Sequence, residues 1–147
     1  MEKPDTPAEL KARALRLLAR REHSRAELAR KLAPRAESAE VIEAVLRQLI
    51  EKKQLSDERY AEARAHWLSR KYGAARIRQD LKAHGVAAPV ADRVSSAGDL
   101  EKARTILARK YRTPATTREE KARRARFLQA RGFSPDVVQA LVVRAED

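Results

Sequence analysis

The chain has 147 residues, of which 43% are hydrophobic and 37% charged, a balance that fits one domain or several small helical repeats around a thin core. The 33 Lys and Arg residues outnumber the 21 Asp and Glu residues, and the formal net charge of +12 favours polyanionic partners, nucleic acid first among them. No cysteine is present, which excludes disulfides and thiolate metal sites. The N-terminal ten residues are polar and no apolar run approaches the roughly 18 residues of a membrane span, so we expect a cytoplasmic protein.

Capping signals and apolar stripes predict three helices in the first third of the chain. A capping box with proline at the first helical position runs from Thr6 to Glu9, and a second capping box runs from Ser24 to Glu27. A wide apolar stripe from Val41 to Ile50 then predicts a third helix that ends near Lys53.

The same pattern restarts at Ser56, whose hydroxyl is predicted to cap a fourth helix with acidic residues in its first turn. Tyr60 and Trp67 fall on the apolar stripe of this helix and are predicted core residues. Gly73 separates it from a fifth helix, and a sixth is expected to start at Pro89.

Three further helices are predicted after residue 97: a seventh that begins near Leu100, an eighth capped by Thr117, and a ninth that begins at Ser134 and Pro135. The segments 81–86 and 128–133 share an apolar residue, a glycine and a second apolar residue at one spacing, as expected where glycine ends a middle helix. The sequence therefore predicts an all-α, elongated array of three three-helix, helix-turn-helix-like repeats, at 1–55, 56–97 and 98–147.

Basic residues concentrate on the middle helix of each predicted repeat. The middle helices, taken as 24–35, 74–84 and 117–131, carry 13 basic and 4 acidic residues, whereas the third helices carry more acidic than basic residues. A helix that reads bases in the major groove should be basic, so the bias favours contact with phosphates through the middle helices instead. The predicted basic face comprises Arg25, Arg30, Lys31, Arg76, Arg78, Lys82, Arg123, Arg124, Arg126 and Arg131.

No pattern of catalytic or metal-binding residues is found, so we expect neither an enzyme nor a cofactor. His23, His66 and His84 lack metal-ligand spacing and are interpreted as exposed or helix-terminal residues. The four glycines are isolated and form no phosphate-binding loop. The acidic pairs stand in first turns of helices, where capping accounts for them.

Four motifs in order along the chain resemble the RecX family. They are ALRLLARREHSRAELARKL at 14–32; VLRQLI at 45–50 with LSDERYA at 55–61; YGAARIRQDL at 72–81 with Gly85-Val86; and RFL at 126–128 with RGFS at 131–134. Ser56 departs from the acidic residue common at that position, and Ala33-Pro34-Arg35 lacks the usual glycine. Both departures affect only a cap or a turn.

The resemblance implies a modular array that binds along the groove of the RecA–DNA filament and restrains its ATP hydrolysis, strand exchange and coprotease activity in recombination and the SOS response. The implied partners are the RecA filament and single- and double-stranded DNA, the DNA through phosphate contacts. We expect the protein to be a monomer. Two alternatives remain open: a helix-turn-helix transcriptional regulator, which acidic third helices disfavour, and a protein-interaction array whose basic face meets an acidic protein.

Overall fold

The computed structural model describes residues 3–143, and over that range the chain forms helices and no β-strand. A 3₁₀ turn, Ala33–Arg35, follows the second helix, and a π-helical segment, Gln139–Val143, continues the last one. The predicted all-α class is confirmed. In chain order the helices are α1 (Pro7–Arg20), α2 (Arg25–Leu32), α3 (Ala39–Glu51), α4 (Asp57–Leu68), α5 (Ala74–Ala83), α6 (Ala88–Ala91), α7 (Asp99–Lys110), α8 (Arg118–Ala130) and α9 (Pro135–Val138).

Most predicted helix starts are confirmed by side-chain caps. Thr6 and Ser24 both form complete capping boxes, each with the glutamate three residues later. The hydroxyls of Ser56, Thr117 and Ser134 accept backbone N–H groups in the first turns of α4, α8 and α9. Each cap satisfies a donor that the start of a helix leaves unpaired.

Two third helices are shorter than the sequence predicted. The helix α6 starts at Ala88, one residue before Pro89, and has only four residues. Val94, which the apolar pattern predicts on this helix, lies beyond its end. The helix α9 is four residues long before its π-helical continuation, and the part of the predicted ninth helix after Val143 lies outside the described residues. The predicted repeat limits stay a prediction, and residues 1–2 and 144–147 within them are not described.

The first of two compact units comprises the residues up to Arg64 together with Leu81–Ala91. Apolar residues of α1, α2 and α3 form its core, and Leu55 from the following loop joins them. The backbone N–H of Arg25, the first residue of α2, donates to Asp57 Oδ1 at 2.7 Å, so the first residue of α4 caps α2. Ser24 Oγ donates to the carbonyl of His84 at 2.8 Å. The fully buried core side chains of this unit include Leu10, Ala14, Leu28, Leu32, Leu46 and Leu49.

The second unit comprises Ala65–Asp80 and the residues from Asp92 onward, and it repeats the same connections. Its core contains Leu128 and Phe133 among apolar residues of α7, α8 and α9. The backbone N–H of Ala74 at the start of α5 donates to Asp99 Oδ2 at 3.0 Å, as that of Arg25 does to Asp57 in the first unit. The N–H of Gly73 donates to the carbonyl of Arg131 at 2.7 Å.

Of the aromatic and imidazole side chains assigned from the sequence, Trp67 differs from expectation, whereas Tyr60 and His23 agree with it. Tyr60 is 3% exposed and belongs to the interior as predicted, but Trp67 is 60% exposed, so its assignment to the core was wrong. Both residues lie on the apolar stripe of α4, yet only Tyr60 is buried. His23 lies just before α2, as a helix-terminal residue should, and is 1% exposed.

Candidate polyanion interface

The ten residues of the predicted basic face divide between the two units. Arg25, Arg30, Lys31 and Lys82 belong to the first unit, and the other six belong to the second. All stand on or directly after the middle helices α2, α5 and α8. The surroundings of these side chains separate them into three groups.

Three arginines of the predicted face are exposed and make no hydrogen bond, ion pair or ring contact with the described part of the chain: Arg30, Arg123 and Arg126. Lys31 and Lys82 are exposed as well, and Lys31 Nζ lies 3.0 Å from His23 Nε2. The three arginines have their full donor set available to an external anion.

Two arginines of the predicted face have roles inside the fold. Arg25 is half-buried and forms an ion pair with Glu43 of α3. Arg78 directs its guanidinium at a backbone carbonyl, with Nε 3.0 Å from the oxygen of Val94. These contacts occupy donors that the sequence analysis assigned to a partner.

Three more arginines of the predicted face, Arg76, Arg124 and Arg131, lie against aromatic rings. We call the set they form with Lys110, Tyr72, Tyr111 and Phe127 the cation–aromatic cluster, all of it within the second unit. The guanidinium carbon of Arg76 is 4.9 Å from the ring centroid of Tyr72, and that of Arg124 is 4.4 Å from the centroid of Tyr111. These distances fall within the range of cation–π attraction.

Arg131 and Lys110 connect the rings of the cluster. The Arg131 guanidinium lies 5.5 Å from the Tyr72 centroid and 5.0 Å from that of Phe127. Lys110 Nζ lies 5.0 Å from the Phe127 centroid, and the Phe127 and Tyr111 rings meet edge to face at 6.0 Å.

Tyr72, Tyr111 and Phe127 were not predicted as members of a candidate site from the sequence. One sequence signal could have indicated part of the cluster, because Arg124, Phe127 and Arg131 recur at helical spacings of three and four residues. The contributions of Tyr72 and Tyr111 depend on tertiary packing and have no local signal.

A buried carboxylate in the first turn of α2, beside the connection from α1, forms an ion pair within the first unit. Glu27 is 6% exposed, and its carboxylate accepts two hydrogen bonds from Arg21 at 3.1 and 2.7 Å. Burial raises the pKa of Glu27, but hydrogen bonds and charge from Arg21 outweigh it and bring the pKa to about 2. Burial lowers the pKa of His23 at the same turn.

Metal-binding and membrane-spanning features are absent from residues 3–143. No group of three or more His, Cys, Asp or Glu side chains in that range is arranged to hold a metal ion. None of the described helices is long and apolar enough to cross a membrane. The fold and the net charge of +12 define a basic protein built of small helical domains.

Family models identify the three domains in order along the chain. The first three-helix domain of RecX matches residues 11–49, the second matches 56–94, and the third matches 97–142. The chain belongs to the RecX family.

Relatives and solved structures agree with this assignment. A regulatory protein RecX of Ralstonia nicotianae is 42% identical, over 97% of this chain and 92% of its own length. Its counterpart in Herbaspirillum seropedicae is 46% identical, over 89% of this chain and 87% of its own length. The crystal structure of RecX from Lactobacillus salivarius has a TM-score of 0.83 at 21% identity and covers 95% of this chain and 96% of that one, which shows a shared fold.

Proposed function

We propose that this chain is a non-enzymatic regulator that binds the RecA–DNA filament and restrains its ATPase, strand-exchange and coprotease activities. It acts in the cytoplasm as a monomer, in recombination and the SOS response. The match of the chain to all three RecX domains in order carries this proposal.

Contacts with phosphates are the physical basis proposed for DNA binding. Arg30 on α2 and Arg123 and Arg126 on α8 present uncompensated guanidinium groups to solvent. Such groups bind phosphate oxygens without reading base sequence, and the binding weakens steeply with salt. The protein would therefore recognise nucleic acid by its charge and acquire specificity for the filament from protein contacts.

Short third helices support this proposal over the helix-turn-helix alternative. A recognition helix must reach base edges in the major groove with several side chains. The helices α6 and α9 have four residues each before they end or change geometry, and Glu40 and Glu43 give α3 acidic side chains.

The first test is ATP hydrolysis by a RecA–DNA filament from the same organism, with this protein titrated in at fixed salt. We expect suppression at protein concentrations too low to coat the DNA, as shown by a parallel DNA-only binding curve. No effect on hydrolysis, together with tight binding to one duplex sequence, would contradict the proposal and favour transcriptional regulation.

A further inference from the structure

The cation–aromatic cluster holds its arginines in fixed orientations. Arg76 Nη1 donates to the carbonyl of Ala130 at 2.8 Å, and Arg131 Nη1 donates to that of Lys71 at 3.1 Å. Arg124 Nη2 donates to the carbonyl of Thr113 at 2.8 Å. Each guanidinium is thus held by one carbonyl and by at least one aromatic ring, because a planar cation can satisfy both at once.

The charge of this cluster is not compensated. None of its four cations, Arg76, Lys110, Arg124 and Arg131, forms an ion pair with a described carboxylate. Surface arginines commonly stay mobile or pair with acids, and like charges held close together destabilise a fold. An arrangement of four cations without an acid does not favour the stability of the fold, but it favours the binding of an external anion.

The free donors of the cluster match phosphate. Each arginine uses one terminal nitrogen on a carbonyl and keeps the other terminal nitrogen for a ligand, whereas Nε of Arg124 is buried without a hydrogen-bond partner. Because the groups are already ordered, binding loses less side-chain entropy than it would with mobile arginines. The cations lie over the rings of Tyr72 and Tyr111, so those ring faces are not open to a nucleobase, and the cluster offers its charged donors to a phosphate backbone.

We infer that the cation–aromatic cluster is a preorganised binding site for the sugar–phosphate backbone of nucleic acid, in which Tyr72 and Tyr111 are positioning residues. The inference rests on the proposed function, and it assigns the DNA contact of the second unit to this cluster. The cations attract the phosphates, and the rings hold the cations in the positions where the phosphates bind.

Charge and positioning can be separated by the salt dependence of binding. Affinity for a fluorescently labelled oligothymidine is measured by anisotropy at several salt concentrations. Arg76→Gln should weaken binding and reduce the slope of log affinity against log salt by about 0.7, the value for one phosphate of a single strand. Tyr111→Leu should weaken binding several-fold and leave that slope unchanged, because no charge is lost.

Matched variants complete the experiment. Tyr111→Phe keeps the ring and should bind like the wild type. Arg104→Gln removes an arginine that pairs with Glu101 in the same unit, and it should bind like the wild type as well. Circular dichroism confirms that each variant is folded. If Tyr111→Leu does not fold, Arg76→Gln against Arg104→Gln decides, since both side chains are exposed.

Two results would overturn the inference. One is that Arg76→Gln and Arg104→Gln weaken binding equally; the other is that a polyglutamate of equal charge binds as tightly and shows the same losses. Failure of the inference is distinguishable from failure of the proposed function. If only the inference fails, the wild-type protein still suppresses ATP hydrolysis by the filament. If the proposed function fails, the wild-type protein does not suppress it.

Discussion

His23 has a fixed partner on each ring nitrogen. Nε2 lies 3.0 Å from Lys31 Nζ and Nδ1 lies 3.0 Å from the carbonyl oxygen of Arg21. An ammonium group can only donate, so Nε2 accepts a hydrogen bond from Lys31, and Nδ1 carries the ring proton and donates a hydrogen bond to the carbonyl. The neutral ring therefore holds Lys31 in place, which makes Lys31 less available to an anion than exposed Arg30.

The contacts of Glu27 could be predicted only in part from the sequence. Its place three residues after Ser24 predicted a capping box, and the box is confirmed. The bidentate partner Arg21 could not be predicted, because it precedes the helix in an extended segment whose direction depends on tertiary packing. The local sequence pattern predicts the capping box, whereas the ion pair with Arg21 depends on the tertiary fold.

The lowered pKa of Glu27 predicts a defined acid dependence of stability. The folded-state pKa is about 2 against an ordinary value of 4.5, so the stabilisation is complete above pH 4.5 and is lost as the pH falls toward 2. We expect Glu27→Gln to cost roughly 1.5–3 kcal/mol at neutral pH, the range for a hydrogen bond to a charged group. Urea unfolding should show that cost shrinking between pH 5 and pH 3. A constant difference across that interval would contradict it.

At the scale of elements, the two units use the same connection between successive helical triplets. The first residue of α4, Asp57, caps α2, and the first residue of α7, Asp99, caps α5. Asp57 is one of the acidic residues that the sequence placed in the first turn of the fourth helix, where capping of that helix explained them. It could not show that the carboxylate serves another helix, because the two residues of this pair, Asp57 and Arg25, are 32 positions apart.

Glycines complete each connection where another helix approaches closely. A Cβ added to Gly85 would lie 2.3 Å from the Cβ of Ala26, and one added to Gly132 would lie 2.3 Å from the Cβ of Arg76. Both glycines have positive φ, as the sequence predicted for residues that end a middle helix. The close approach is a second requirement that only the structure shows.

Alanine substitutions at three glycines separate these two requirements. Gly98 has a positive φ, and a Cβ added there would meet open space. Gly98→Ala should therefore lower the free energy of unfolding by about 1 kcal/mol through backbone conformation alone. Gly132→Ala meets the same conformational cost and also the backbone of Arg76, so we expect a larger loss, by roughly 1–3 kcal/mol.

Gly73→Ala tests the close approach by itself. Its Cβ would lie 2.5 Å from the carbonyl oxygen of Gly132, and Gly73 does not have a positive φ. Denaturant midpoints of the three variants should rank Gly98→Ala as the mildest. Equal losses at Gly98 and Gly132 would show that the contact with Arg76 relaxes without cost.

At the scale of the whole molecule, composition predicted a polyanion partner and the structure refines which charges are available. Periodicity identified α2, α5 and α8 as the basic helices, but charge counts alone treat all arginines of one helix alike. Arg78 and Arg25 are committed to the fold, and Arg124 lies against the ring of Tyr111. Exposure and partners depend on packing, which no pattern of charges along the chain encodes.

Charge reversal on α8 tests whether the middle helices bind DNA. A triple reversal that included Arg124 would also break its contacts with Tyr111 and Thr113, so the informative variant is Arg123→Glu with Arg126→Glu. This variant should keep its helicity, lose affinity for duplex DNA, and show a salt dependence weaker by about two phosphate contacts, or about 1.8 in slope.

Arg47→Glu is the matched control for that reversal, since Arg47 is an exposed arginine on the third helix α3 without a partner in the described chain. A long-range effect of net charge would weaken binding in proportion to the charge reversed wherever it lies. A recognition helix at α3 would make Arg47→Glu the more damaging variant and give it a dependence on base sequence. Contact through the middle helices requires the opposite order. The α8 variant should then lose affinity for DNA of any base sequence, and Arg47→Glu should change the affinity only slightly, by an amount that salt screens.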